Sequence, residues 1–167
     1  MTIACNSSDT TVTDNTYFDL KSYFKEEIKR KAGISLQKTV KINEKSETKT
    51  IDTPNLEEEL SIFLNSDINK PAWLDKYTTD STHTNGKLSK ITYTTTAPKL
   101  KTKELRIELQ DGNVQAIAIQ NHTKNTVYTT IQSLNYLPGT GYTIKTEQNI
   151  ELSEPQIFHI QAEWLTK

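Results

Sequence analysis

The side chains that could do chemistry are few and scattered. The histidines are His83, His122 and His159. No two stand two or four residues apart and none lies near a cysteine, so the spacing of a zinc site is missing. Glu57, Glu58 and Glu59 form an acidic run, but at the start of an apolar-periodic segment it reads as a solvated helix opening that suits the helix dipole. Asp75, Asp80 and Glu108 would serve a hydrolase only if the fold gathered them in one cleft. The five glycines all fit turns or helix ends, so there is no glycine-rich phosphate loop, and no Gly-X-Ser-X-Gly elbow is present. The single cysteine, Cys5, stands in a polar leader that cannot hold it beside a base. The expectation is a protein without catalytic residues, cofactor or metal.

Two further strings look like signals. Leu137-Pro138-Gly139-Thr140-Gly141 spells a sortase sorting motif. A working signal needs an apolar anchor and a basic tail after it, whereas residues 142–167 read as amphipathic strand, so Pro138 and Gly139 are expected to make a hairpin turn. Asn6-Ser7-Ser8 and Asn121-His122-Thr123 match the glycosylation sequon, which carries little weight in a bacterial host.

The elements that must position any site follow from composition and period. The chain has 167 residues, one domain's worth. Lys+Arg is 20 and Asp+Glu is 21, for a net charge of -1, which argues against a basic nucleic-acid clamp. Leu, Ile, Val and Phe total 38 residues, so the core is thin and must be well placed. No apolar run reaches the ~18–20 residues needed to cross a bilayer as a helix.

Residues 17–32 predict an amphipathic helix, with Tyr17, Leu20, Phe24 and Ile28 on one stripe, Thr16 as N-cap and Gly33 as the stop. Residues 54–65 predict a second, with Pro54 in its first turn and Leu56, Leu60, Phe63 and Leu64 on one face. A short helical turn is expected at Pro71, with Trp73, Leu74 and Tyr77 plugging the core. Between the two helices a hairpin is expected around residues 40–51, with its turn at Asn43–Ser46. From residue 77 onward Asn85-Gly86 and Asp111-Gly112 are strong hairpin signals, and period-two runs alternate apolar and polar residues. His122 is placed in a turn and His159 on an exposed strand face.

The resulting fold class is α+β. A twisted antiparallel meander of about six strands, plus a hairpin, is packed on one face by two amphipathic helices. Six strands make a sheet roughly 25 Å wide. Two helices of ~10 Å diameter would cover most of that. Threonine occurs 26 times and is expected to line a solvated outer face. In a second arrangement the meander curls into a half-barrel under a helical lid. The face bearing Leu105, Ile107, Tyr142, Ile144, Phe158 and Trp164 would then receive a lipophilic ligand.

Residues 1–16 are expected to be a flexible tether and residues 17–167 a single domain. From Asn6 to Thr16 almost every residue is Ser, Thr, Asn or Asp, too polar to offset its ordering entropy. Ala4-Cys5 at its root resembles the lipobox of bacterial lipoproteins, in which a small residue precedes the acylated cysteine. The stretches KTVKINEKSETKTI, LSIFLNSDINKPAW and LPGTGYTIKTEQ look like those of small, functionally uncharacterised lipoproteins of Bacteroidota. That resemblance implies an exported domain in the bacterial cell envelope, lipid-anchored at Cys5 and outer-membrane-attached. Its role would be non-catalytic: a binding or accessory function toward a protein or lipid partner, with no nucleic acid. The alternative is a periplasmic or outer-membrane carrier of a lipophilic ligand.

Overall fold

The computed structural model describes residues 16–165. These residues form three short α-helices, one 3-10 turn and nine strands joined in a single antiparallel sheet. Cys5 and the rest of the expected tether before Thr16 lie outside the described residues.

The first helix, α1, spans Leu20–Arg30 rather than the whole of 17–32. Its N-cap is Asp19, whose carboxylate accepts from Ser22 N at 2.9 Å, and not Thr16. Tertiary hydrogen bonds hold the preceding residues out of the helix. Tyr17 N donates to Asn69 Oδ1 at 3.0 Å, and Phe18 N donates to the Tyr93 hydroxyl at 3.1 Å. Tyr17 therefore joins the core from a non-helical lead-in, its hydroxyl donating to the Leu74 carbonyl. Lys29 and Arg30 occupy the last turn, where the dipole favours cations, and Gly33 takes a φ of +80° just beyond.

The second segment is not one helix. It divides into α2 (Leu56–Glu59) and α3 (Ser61–Leu64) about the fully buried Leu60. Asn55 caps α2, and Ser61 Oγ donates to the Glu58 carbonyl at 2.7 Å, a side-chain bond that competes with the helical ladder at the break. The 3-10 turn Pro71–Trp73 follows as expected.

The strands are β1 (Ser35–Ile42), β2 (Lys45–Ile51), β3 (Thr78–Thr84), β4 (Lys87–Thr94), β5 (Thr102–Gln110), β6 (Asn113–Lys124), β7 (Tyr128–Leu137), β8 (Gly141–Ile150) and β9 (Gln156–Leu165). Their order across the sheet is β2-β1-β9-β8-β7-β6-β5-β4-β3. The meander after residue 77 thus has seven strands, not six. The extra one is β3, whose sequence Thr-Thr-Asp-Ser-Thr-His-Thr has no apolar alternation to reveal it. Both central residues have positive φ at Asn85-Gly86 and at Asp111-Gly112, which matches the twist of the flanking strands. The β1–β2 turn is the two-residue Asn43-Glu44, tighter than expected. His122 lies in β6 and pairs with Ile131, so it is a strand residue and not a turn residue.

One face of the sheet carries the core. Leu36, Leu105, Ile107, Ile117, Ile119, Leu134, Tyr136, Tyr142, Ala162 and Trp164 are buried against Leu20, Phe24, Leu60, Phe63 and Ile68. Phe24 stacks on Phe63 at 5.0 Å between ring centroids and meets Tyr136 edge-on at 4.9 Å. The other face presents the row Thr39, Gln161, Thr143, Asn135, Ala118, Arg106 and Thr92, one per neighbouring strand and polar at every position but Ala118. The expected division into an apolar and a polar face therefore holds. The expected match of widths does not. Nine strands span roughly 38 Å, and the helices are too short and too few to cover them all.

Candidate functional site

Register identifies an apolar uncovered part of the inner face. Along β9 the inward residues are Phe158, Ile160, Ala162 and Trp164, opposite Ile42, Val40, Lys38 and Leu36 on β1. On the other side of β9 the same row places Thr146, Ile144 and Tyr142 of β8. The Leu36–Trp164 end is sealed beneath α1. Toward the hairpin the covering ends: Val40, Phe158 and Ile160 are only half-buried and Ile42 is 45% exposed.

These residues floor a trough. A groove of about 400 Å³ runs between the sheet and the α2–α3 segment, lined by Ile62, Ile144, Phe158, Ile160, Gln132 and Thr146 among others. Beside it, Val40 and Ile42 line a second concavity of about 760 Å³ with hairpin residues 43–47. Because Val40 and Ile42 pair directly with Ile160 and Phe158, the two hollows share one continuous apolar strip.

A polar cluster closes the inner end of this strip. Glu59, on the last turn of α2, receives two hydrogen bonds from Lys38 Nζ, at 2.9 and 2.7 Å, and one from the Tyr142 hydroxyl. The Lys38 and Glu59 side chains are 23% and 14% exposed, so the pair is partly shielded from solvent. A parallel arrangement lies deeper. Glu27 of α1, 2% exposed, accepts from the Tyr136 hydroxyl at 2.6 Å and pairs with Arg30 at 2.7 Å. Tyr136 and Tyr142 are direct cross-strand partners, so each helical segment is pinned to the same rung of the sheet by one phenol–carboxylate bond. Burial, reinforced by the neighbouring carboxylate, pushes both phenols far above the ordinary tyrosine range. Both remain protonated donors at any physiological pH.

A third polar set runs beneath the loop after α3. Asn121 Nδ2 donates to Ser66 Oγ at 2.9 Å, Thr102 Oγ1 to the Ser66 carbonyl at 3.1 Å, and Tyr77 OH to the Thr102 carbonyl at 2.7 Å. Burial raises the Tyr77 phenol to about 12. These bonds fix the loop that leads from α3 to the 3-10 turn.

The structure divides the expected ligand face between the trough and the core. Tyr142, Ile144 and Phe158 line the trough, Tyr142 and Ile144 at its buried wall, whereas Leu105, Ile107 and Trp164 are buried in the helix–sheet core. The strip that remains open is Val40, Ile42, Ile62, Phe158 and Ile160. Of these only Phe158 belongs to the ligand face expected from the sequence; Ile160 is read there as its neighbour on an alternating strand, and Val40 and Ile42 as part of a hairpin. Their position beside β9 depends on a pairing between chain ends that no local signal announces.

The candidate carboxylates do not converge. Asp75 is exposed beside Lys76, Asp80 is exposed on β3, and Glu108 is exposed on β5. His83 and His159 are exposed on β3 and β9, far from each other in strand order. Among the described residues no group of His, Cys, Asp and Glu is placed to hold a metal ion, and no helix is long and apolar enough to cross a membrane. Comparison with protein-family models, with curated proteins and with solved structures returned no match.

Proposed function

We propose that this chain is a non-catalytic binding domain whose trough takes an extended apolar chain of the acyl type. The observation that carries the reading is the strip Val40–Ile42–Phe158–Ile160 with Ile62. It stays open beside a core packed with aromatic and aliphatic side chains. Contiguous apolar surface of this kind is costly to leave in water unless something covers it. A linear chain lying along it would gain about 0.8 kcal/mol per buried methylene. Eight methylenes give about 6 kcal/mol before the cost of association, which fits weak, exchangeable binding. Lys38, hydrogen-bonded to Glu59 at the closed end, can turn toward a ligand's polar head.

The envelope address belongs with this reading. Ala4-Cys5 followed by a polar spacer supports acylation at Cys5, which would hold the domain close to a membrane that supplies such chains. Globomycin treatment and metabolic palmitate labelling of the native gene product test the anchor, and no lipid at Cys5 removes it. Native mass spectrometry and displacement of a fluorescent fatty acid test the trough. Phe158→Glu and Ile160→Glu are expected to abolish displacement; Phe158 is only partly buried and stands outside the core, whereas Ile160 packs against it, so circular dichroism of both variants checks that the fold is kept. Equal binding by wild type and both variants, or none by wild type, refutes the reading.

A further inference from the structure

We infer that two copies of this chain associate edge to edge through β2, in one two-fold register centred on Thr48, extending the sheet across both molecules. This does not rest on the trough reading.

The inference starts from the two ends of the sheet. At one end the β3–β4 ladder shifts register at Thr82/His83, where Ser89 of β4 is the extra residue, an irregularity that bends the hairpin at that edge. At the other, β2 is regular over its whole length, pairing from Lys45 through Ile51 with β1 without a register shift. Every β2 residue except Ile51 is exposed.

The backbone then fixes which groups are free. Asn43 N donates to the Ile157 carbonyl across the β1–β9 ladder at 3.0 Å. Alternation along β1 therefore turns the backbone groups of Ile42 toward β2, where Ile42 faces Lys45 at the two-residue turn. By the same alternation, Lys45, Glu47 and Lys49 spend their backbone groups on β1. Ser46, Thr48 and Thr50 point theirs outward.

An antiparallel partner must place outward residue against outward residue. A second copy related by a two-fold axis through Thr48 does this throughout. Thr48 meets Thr48, and Ser46 meets Thr50 in both directions. The intervening rungs set Glu47 opposite Lys49 twice, on the closer, non-hydrogen-bonded positions. The neighbouring two-fold registers fail on charge. A centre at Glu47 sets Glu47 against itself and Lys45 against Lys49, and a centre at Lys49 sets that lysine against itself. Backbone parity admits all three centres, and side-chain charge selects the one at Thr48. Glu47 and Lys49 are free to serve it, since their side chains are 68% and 71% exposed and their mutual contact is between neighbours on one strand.

Sedimentation equilibrium of the full chain, with reductant to silence Cys5, tests the inference. The mass is expected to rise from 19.0 kDa to twice that value across a concentration series, and less so at high salt. Lys49→Glu places like charges on two rungs and is expected to raise the dissociation constant about tenfold or more. Adding Glu47→Lys to that variant restores the complementary pairs and the dimer. Thr48→Pro removes the central outward N–H at a position where an edge strand tolerates proline, so it gives a monomer with an unchanged melting profile. A chain that stays monomeric to its solubility limit overturns the inference. So does a dimer indifferent to the charge swap, or an open-ended series of masses from β2 meeting β3. Should Thr48→Pro fail to fold, the swap alone decides.

Discussion

Alkaline pH is the sharpest probe of how the helices are fastened to the sheet. Tyr136 and Tyr142 are 0% and 3% exposed, and each donates to a helical carboxylate. Burial and that carboxylate hold their folded pKa far above the unfolded value of about 10. A group whose folded pKa is raised keeps its full contribution below the unfolded pKa and loses it as pH rises beyond. Between pH 10 and the folded pKa each phenol lowers stability by about 1.4 kcal/mol per pH unit. The pair therefore takes away about 5 kcal/mol between pH 10 and 12, comparable with the whole stability of a marginal domain. Tyr23, Tyr77 and Tyr93, whose phenols are also raised by burial, steepen the fall. Tyr136→Phe gives the control. At neutral pH it leaves one oxygen of buried Glu27 without its donor and costs about 2 kcal/mol. Phenylalanine cannot ionise, so the variant's stability falls less steeply and meets that of the wild type roughly 1.5 pH units above 10. Urea unfolding at a series of pH values, with phenolate absorbance followed in parallel, measures both curves. Phenols that titrate reversibly near pH 10 in an intact fold would refute the reasoning, as would parallel curves for wild type and Tyr136→Phe.

Other outcomes are equally definite. At Gly141 a Cβ would lie 1.9 Å from the Ala162 carbonyl oxygen and φ is +151°, so Gly141→Ala must part β8 from β9 and is expected to cost about 3 kcal/mol or more in urea. Gly139→Ala in the same turn meets open space, and is expected to be neutral or to stabilise by about 0.4–1 kcal/mol. Phe24→Ala empties a fully buried site between Phe63 and Tyr136, and about 3–5 kcal/mol should be lost in thermal or urea unfolding. Asp19→Ala removes the cap of α1, for a loss of about 1 kcal/mol with reduced helicity by circular dichroism.

The apolar stripe of α1 and the alternating strands β5, β8 and β9 were legible because burial there follows a simple period. Leu20 and Phe24 recur at helical spacing, and Leu105 and Ile107 alternate with charged neighbours. Where non-local contacts decide, the text of the chain is silent. Asn69 and Tyr93 draw Tyr17 and Phe18 away from the helix that their spacing suggests. β3 has only polar side chains and is a strand because β4 folds back on it at Asn85-Gly86. The open trough was hidden for the same reason. Val40 and Ile42 belong to an ordinary-looking hairpin until β1 docks on β9, and nothing within either segment specifies that partnership. The paired bonds of Tyr136 to Glu27 and Tyr142 to Glu59 join residues distant in the chain, each unremarkable alone.

That docking has a consequence during synthesis. Ser35 pairs with Leu165, so β1 takes its place beside β9 only after the whole stretch between them is made. At ~5–20 residues per second the wait is roughly ten seconds. Throughout that interval Leu36 and Val40 have β2 on one side but lack β9 on the other, and the nascent chain is a customer for any factor that shields unpaired edges. A message truncated just before Gln156 would leave β1 and its hairpin permanently stranded.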